Sequence, residues 1–210
     1  MNSCSYLFSR YIATFLLVLL CTSGRAQNID ISLLRDINLH RSKSLDLLMK
    51  GISNSTYPVS AAIPVTELIY GCAHHDRQVI RLGWTTTAGL AVNGILAFGI
   101  KYAANRTRPY VTYPDLQPAF IESDPSFPSG HTSFAFYTAT MLSIHTDKWY
   151  VIAPLYTWAT AVGYSRLHLG VHYPTDVLAG AVVGAGSAWL TYKGSRWLQH
   201  KLRKKEKPVE

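Results

Sequence analysis

The sequence predicts an all-α integral membrane bundle of about five to six spanning helices, and three observations carry that prediction. Of the 210 residues, 48% are hydrophobic and only 15% are charged, a balance that leans toward a membrane protein. Apolar segments recur near 56–73, 82–103, 131–146, 149–165 and 175–192, and Leu82–Ile100 runs nineteen residues without a charge, enough to cross a bilayer. The formal net charge of +8 is unevenly spread, because the tail from Lys193 holds seven Lys or Arg against two acids. Such a tail marks the cytoplasmic side of a membrane. Nothing interleaves aromatic and basic residues as a nucleic-acid partner would require.

Taken in order, residues 1–26 read as a signal peptide or an N-terminal anchor. Arg10 precedes the apolar run Tyr11 to Cys21, and Gly24 and Ala26 take the −3 and −1 positions of a cut before Gln27. Removal of this leader takes Cys4 and Cys21 with it and leaves Cys72 alone, so no intrachain disulfide is expected. Residues 27–55 mix apolar and charged positions at helical spacing, an amphipathic helical lead-in at a membrane surface. The stretch 56–192 forms the main domain, and 193–210 is a basic cytoplasmic tail. A leader that places residue 27 outside sends 56–73 inward, 82–103 outward, 131–146 inward, 149–165 outward and 175–192 inward. Arg77, Arg81, Lys148 and the tail then all lie inside. The loops 104–130 and 166–174 meet outside, and the first is long with five prolines.

Three clusters in or beside those loops carry the chemistry: "KYAANRTRPY", "FPSGHTS" and "SRLHLGVHYPTD". Singly, each has an ordinary explanation. Lys101 snorkels from a helix end, Arg106 and Arg108 are solvated loop charges, and the PSGH stretch is a turn and helix start. Together they suit a phosphate ester. Lys101, Arg108 and Arg166 can surround anionic oxygens, the arginines as planar forks and the lysine as a compact charge. Pro109 keeps Arg108 out of helical backbone. Ser129 and Gly130 open a helix whose first N–H groups attract anions. Pro174 suits a first helical position, which carries Asp176 into the first turn beside His172. A carboxylate accepting from Nδ1 leaves Nε2 as the attacking atom. His168 has no such neighbour in sequence and reads as structural or rim-lining. Glu67 interrupts the segment 56–73 near its cytoplasmic end, where it reaches the interface.

These three stretches follow K-x6-RP, PSGH and SR-x5-H-x3-D, in order and with correct spacing over roughly residues 80–190. The chain resembles the type 2 phosphatidic acid phosphatase superfamily, which also holds bacterial acid phosphatases and vanadium haloperoxidases. The resemblance implies a helical core, a phosphohistidine intermediate and no metal or other cofactor. It implies His172 as nucleophile, Asp176 as its orienting partner and His131 as acid for the leaving group. It implies phosphate binding by Lys101, Arg108, Ser129, Gly130 and Arg166. The expected function is hydrolysis of a lipid phosphate or diphosphate at the periplasmic face of a bacterial inner membrane. Undecaprenyl diphosphate, lipid A, phosphatidylglycerophosphate and phosphatidate are the candidate substrates. The partners expected are that substrate and membrane lipids, not nucleic acid, and the sequence leaves the oligomeric state open. The alternatives are a soluble periplasmic acid phosphatase and a vanadium-dependent haloperoxidase. A non-catalytic scaffold is disfavoured by the intact set of histidines and cations.

Overall fold

The computed structural model describes residues 28–146 and 148–205; the leader or anchor expected over 1–26 lies outside them. Helix α1 covers 28–39. A 3₁₀ turn, Lys43–Leu45, leads into α2 (Asp46–Asn54), and α3 (Thr56–Ala73) follows after one residue. Next come α4 (Arg77–Ala104), the single turn α5 (Pro109–Thr112), α6 (Gly130–Ser143), α7 (Trp149–His168) and α8 (Pro174–Lys205). No strand occurs among the described residues. Residues 194–205 of the basic stretch continue α8 as helix.

Local chemistry sets the helix ends. Asp76 caps α4 by accepting from the backbone N–H groups of Gln78 and Val79. Asn105 ends α4 in left-handed backbone at φ 43°, which a short polar side chain tolerates. The Ser129 hydroxyl caps α6, and Pro174 opens α8. Arg108 is extended at ψ 150°, as the following proline requires.

The packing is that of a bundle in lipid. Small polar side chains face inward. The Asn93 carbonyl accepts from Ser133 Oγ at 2.8 Å and Ser187 Oγ at 2.9 Å, joining α4, α6 and α8. Thr138 Oγ1 donates to Ser60 Oγ at 2.8 Å between α6 and α3. Large apolar side chains face outward: Ile95 and Val182 are each 73% exposed, and Leu178 66%. Exposed apolar surface around a polar-knotted interior is what a hydrocarbon solvent selects. Among the described residues one stretch, Arg77–Thr112, meets both the length and the hydropathy of a span by itself. The inward polar groups dilute the others. Helix α6 sits centrally, most closely on α8. A side chain at Gly180 or Gly184 would run into the backbone carbonyls of Ser129 or Ser133, so the small residues of 179–188 are what let the two helices touch. That contact brings the start of α6, the start of α8, the end of α4 and the end of α7 to one end of the bundle.

Candidate functional site

At that end lies a cavity of about 300 Å³ lined by Lys101, Arg108, Gly130, His131 and His172, with Tyr57, Phe98 and the 121–124 stretch completing its wall. Lys101 comes from the last turn of α4, and Arg108 from the extended residue before α5. His131 is the second residue of α6, and its ring packs on Tyr57 at 4.7 Å. His172 sits in the turn between α7 and α8, almost wholly buried. Gly170, at φ +71°, lets the chain reverse there, and the Asn38 side chain fills the space a Cβ would need.

The two nitrogens of His172 have different neighbours. Nε2 lies 3.5 Å from Arg108 Nη1, a donor only, so Nε2 presents its lone pair. Nδ1 lies 3.4 Å from Asp176 Oδ2 and 3.4 Å from Ser126 Oγ. Asp176 is held on both oxygens. Oδ1 takes Arg106 Nη1 at 2.6 Å, and Oδ2 accepts from the Ser126 hydroxyl and from the Tyr173 backbone N–H at 2.9 Å. Burial pushes the His172 imidazole down to about 4; the hydrogen bond to Asp176 opposes this, and the charge of Arg166 adds to it. The ring is therefore neutral at neutral pH.

Sequence reasoning missed the carboxylates. Asp124 Oδ2 meets Lys101 Nζ at 2.6 Å, and its Oδ1 meets Arg108 Nη2 at 2.7 Å. Glu122 bridges the two arginines, with Oε1 on Arg166 Nη2 at 2.6 Å and Oε2 on Arg108 Nη1. Burial alone would raise both acids. The ammonium of Lys101 and the guanidinium of Arg108 overcome this and hold Asp124 at about 2. Arg166 and Arg108 likewise keep Glu122 below the usual carboxylate range. The three cations thus converge, and two acidic side chains span them where a phosphate's oxygens would. An acid pair between two motifs, "ESD" in a proline-rich loop, was the available signal.

Two expected phosphate binders stand back from the cavity wall. Ser129 Oγ accepts from Thr132 Oγ1 at 2.9 Å inside the α6 cap, and its backbone N–H donates to the Asp176 carbonyl at 3.0 Å. Arg166 is fully buried behind Glu122, steadied by Ser53 Oγ of α2 at 2.7 Å. Arg106 is not a solvated charge. It pairs with Asp176 and with Asp30 of α1 at 2.8 Å, and stacks on Tyr173 at 3.8 Å. His168 does have a carboxylate partner, Asp46 of α2 at 2.9 Å, supplied from 122 residues away. That pairing ties α7 to α2 outside the cavity. Asp30, Asp46, Ser53 and Tyr57 belong to the front of the chain, where no spacing links them to the motifs. Among the described residues no cluster of His, Cys, Asp or Glu is built to hold a metal ion.

Comparison with known proteins finds relatives along most of the chain. An undecaprenyl-diphosphatase of Sulfolobus acidocaldarius is 30% identical over 175 residues, covering 80% of this chain and 79% of its own. The undecaprenyl-diphosphatase BcrC of Bacillus subtilis is 28% identical over 160 residues, 76% of this chain and 80% of its own. The crystal structure of a transmembrane PAP2-type phosphatidylglycerolphosphate phosphatase from Bacillus subtilis superposes with a TM-score of 0.69 at 26% identity, covering 97% of this chain and 98% of that one. The family described as the PAP2 superfamily matches residues 79–199, which hold both histidines, Asp176 and all three cations. A family match over residues 79–199, more than half of the chain, together with a relative 30% identical over most of both chains, means that the chain belongs to the PAP2 superfamily.

Proposed function

We propose that the protein hydrolyses the terminal phosphate of a membrane lipid phosphate or diphosphate through a phosphohistidine on His172. The observation that carries this reading is the orientation of His172. Its Nε2 lone pair opens toward Arg108 and the cavity, while Nδ1 faces the carboxylate of Asp176. In the proposed reaction the phosphate oxygens take the places that Glu122 and Asp124 occupy on Lys101, Arg108 and Arg166. Nε2 attacks phosphorus, and the P–O bond to the lipid breaks with its electron pair going to oxygen. His131, across the cavity, gives that oxygen a proton. His131 then takes a proton from water, which attacks the phosphohistidine and releases inorganic phosphate. The cations supply the charge stabilisation of the phosphoryl transition state.

Membrane phosphatases among its relatives, two of them named for undecaprenyl diphosphate, support a lipid substrate. The periplasmic face is inferred from charge: the cavity lies at the end opposite Arg77, Arg81, Lys148, Lys193 and Arg196. The test is phosphate release from a panel of purified lipid phosphates and diphosphates in detergent, by wild type and by His172→Ala. Release by wild type with none from the variant is expected. Equal release by both would overturn the reading.

A further inference from the structure

One charged group near the reacting histidine has no part in that scheme. Arg106 lies two residues before Arg108, yet its side chain points away from the cavity. Its fork holds two carboxylates: Nη1 on Asp176 Oδ1 at 2.6 Å and Nη2 on Asp30 Oδ2 at 2.8 Å. The Thr175 hydroxyl sits between them, accepting from Nη1 at 2.7 Å and donating to Asp30 Oδ2 at 2.6 Å. The Thr175 backbone N–H closes the ring on Asp30 Oδ1 at 2.8 Å. The guanidinium lies over Tyr173, whose N–H binds the other oxygen of Asp176. The backbone carbonyl of Arg106 accepts from the Ser126 N–H at 2.7 Å, and the Ser126 hydroxyl donates to Asp176 Oδ2. Arg106 therefore governs both oxygens of Asp176, one by side chain and one through Ser126.

The charge count explains why Asp30 is there. Arg106 and Asp176 alone sum to zero. A neutral pair offers little to an imidazole that becomes cationic when Nε2 bonds to phosphorus. Asp30, buried with 2% of its side chain exposed, returns the cluster to one net negative charge. That charge faces Nδ1 in a low-dielectric setting, where it is screened little. Asp30 lies on α1, outside the residues 79–199 that match the family, so the front helix completes the site.

We propose that Arg106, held by Asp30 of α1, is a positioning residue: it fixes the rotamer of Asp176, and Asp30 keeps the cluster anionic against the phosphohistidine cation. This rests on the histidine-nucleophile reading above. Asp30→Asn should lower kcat about tenfold to a hundredfold, with KM nearly unchanged, because it touches no substrate. The charge-conserving Arg106→Lys, which cannot span both carboxylates, should fall between wild type and Arg106→Met.

The test is a double-mutant cycle on the full chain in detergent, reading phosphoenzyme formed from a radiolabelled aryl phosphate and quenched in alkaline detergent, because the N–P bond of a phosphohistidine is lost in acid. Asp30→Asn should cost little further in an Asp176→Asn background, since its effect passes through Asp176. Losses that multiply, a change confined to KM, or an unchanged rate would overturn the clamp. Should Asp30→Asn fail to give monodisperse protein, the same cycle with Arg106→Lys reads the same coupling. Absence of label on wild type would sink the nucleophile and the clamp together, whereas label with multiplying losses would sink the clamp alone.

Discussion

The proposed mechanism gives His172 and His131 separable tasks, and the two substitutions should show it. His172→Ala should abolish phosphoenzyme. His131→Ala should slow its formation most for lipid alkoxide leaving groups and less for activated aryl phosphates, which need less help from a proton. Asp176→Asn should lower turnover by about 10³–10⁴-fold with the fold retained, by analogy with other carboxylate-oriented histidines. The buried environment of His172 also sets a pH expectation. Its pKa falls from 6.5 to about 4 on folding, so the attacking neutral ring survives well below pH 6. Once the substrate's own ionisation near pH ~6 is divided out, phosphoenzyme formation should fall only as pH drops through about 4. The same shift makes the unfolded chain bind more protons between 6.5 and 4, so stability should decline as pH falls across that window. The placing of Arg108, Gly130 and Asp176 was legible in the sequence, because Pro109, Ser129 and Pro174 are local devices that aim neighbouring side chains, whereas the role of His131 as acid came from the family resemblance. The counter-charges were not. Asp46 and Ser53 meet α7 only after the chain has folded back more than a hundred residues.

Among the elements, the 113–129 loop carries the most function for the least secondary structure. It presents Glu122 and Asp124 to all three cations, and in the proposed reaction a phosphate displaces them. The double variant Glu122→Gln with Asp124→Asn should bind vanadate or inorganic phosphate about tenfold more tightly, roughly one lost charge-assisted interaction's worth of competition. It should also melt at lower temperature, since Lys101 and Arg166 remain buried without their anions. Inhibition constants and thermal unfolding in detergent measure both, and weaker vanadate binding would contradict the displacement. The helix pair beneath the loop makes a different demand. Gly184→Ala places a methyl against the Ser133 carbonyl and should cost about 1–3 kcal/mol by overpacking, read as a fall in melting temperature. The run 179–188 is rich in small residues, a composition that suits close helix packing. Which partner they would meet depended on tertiary structure, and α6 answers it.

At the scale of the whole molecule, the bundle has two chemically unlike ends. One gathers the histidines, the cations and their carboxylates beneath α1 and α2. The other carries Arg77, Arg81, Lys148 and the basic extension of α8. The five long segments were visible as apolar runs, but hydropathy alone singles out only one of them, and Ser60, Thr138 and Ser187 of the others face inward. Burial resolves what averaging hides: the apolar side chains are on the outside. Helix α2 exposes Leu47 and Leu48 on one face, 81% and 56%, and holds Asp46 and Ser53 against α7 on the other. A surface helix of that kind is expected to lie flat in the lipid interface, which would set the level of the cavity at the headgroups. The positive-inside bias favours the outer interface, since moving Arg77, Arg81, Lys148 and the tail across the membrane together would oppose the rule at every loop. The expected orientation puts the cavity in the periplasm and the C-terminus in the cytoplasm. Cysteines introduced singly at Ser123 and at Lys193, in a Cys72→Ser background, should differ in labelling by a membrane-impermeant maleimide on intact cells. Ser123→Cys should label from outside, and Lys193→Cys only after the membrane is opened. The reverse pattern would place the reaction on the cytoplasmic leaflet and exclude substrates presented outside.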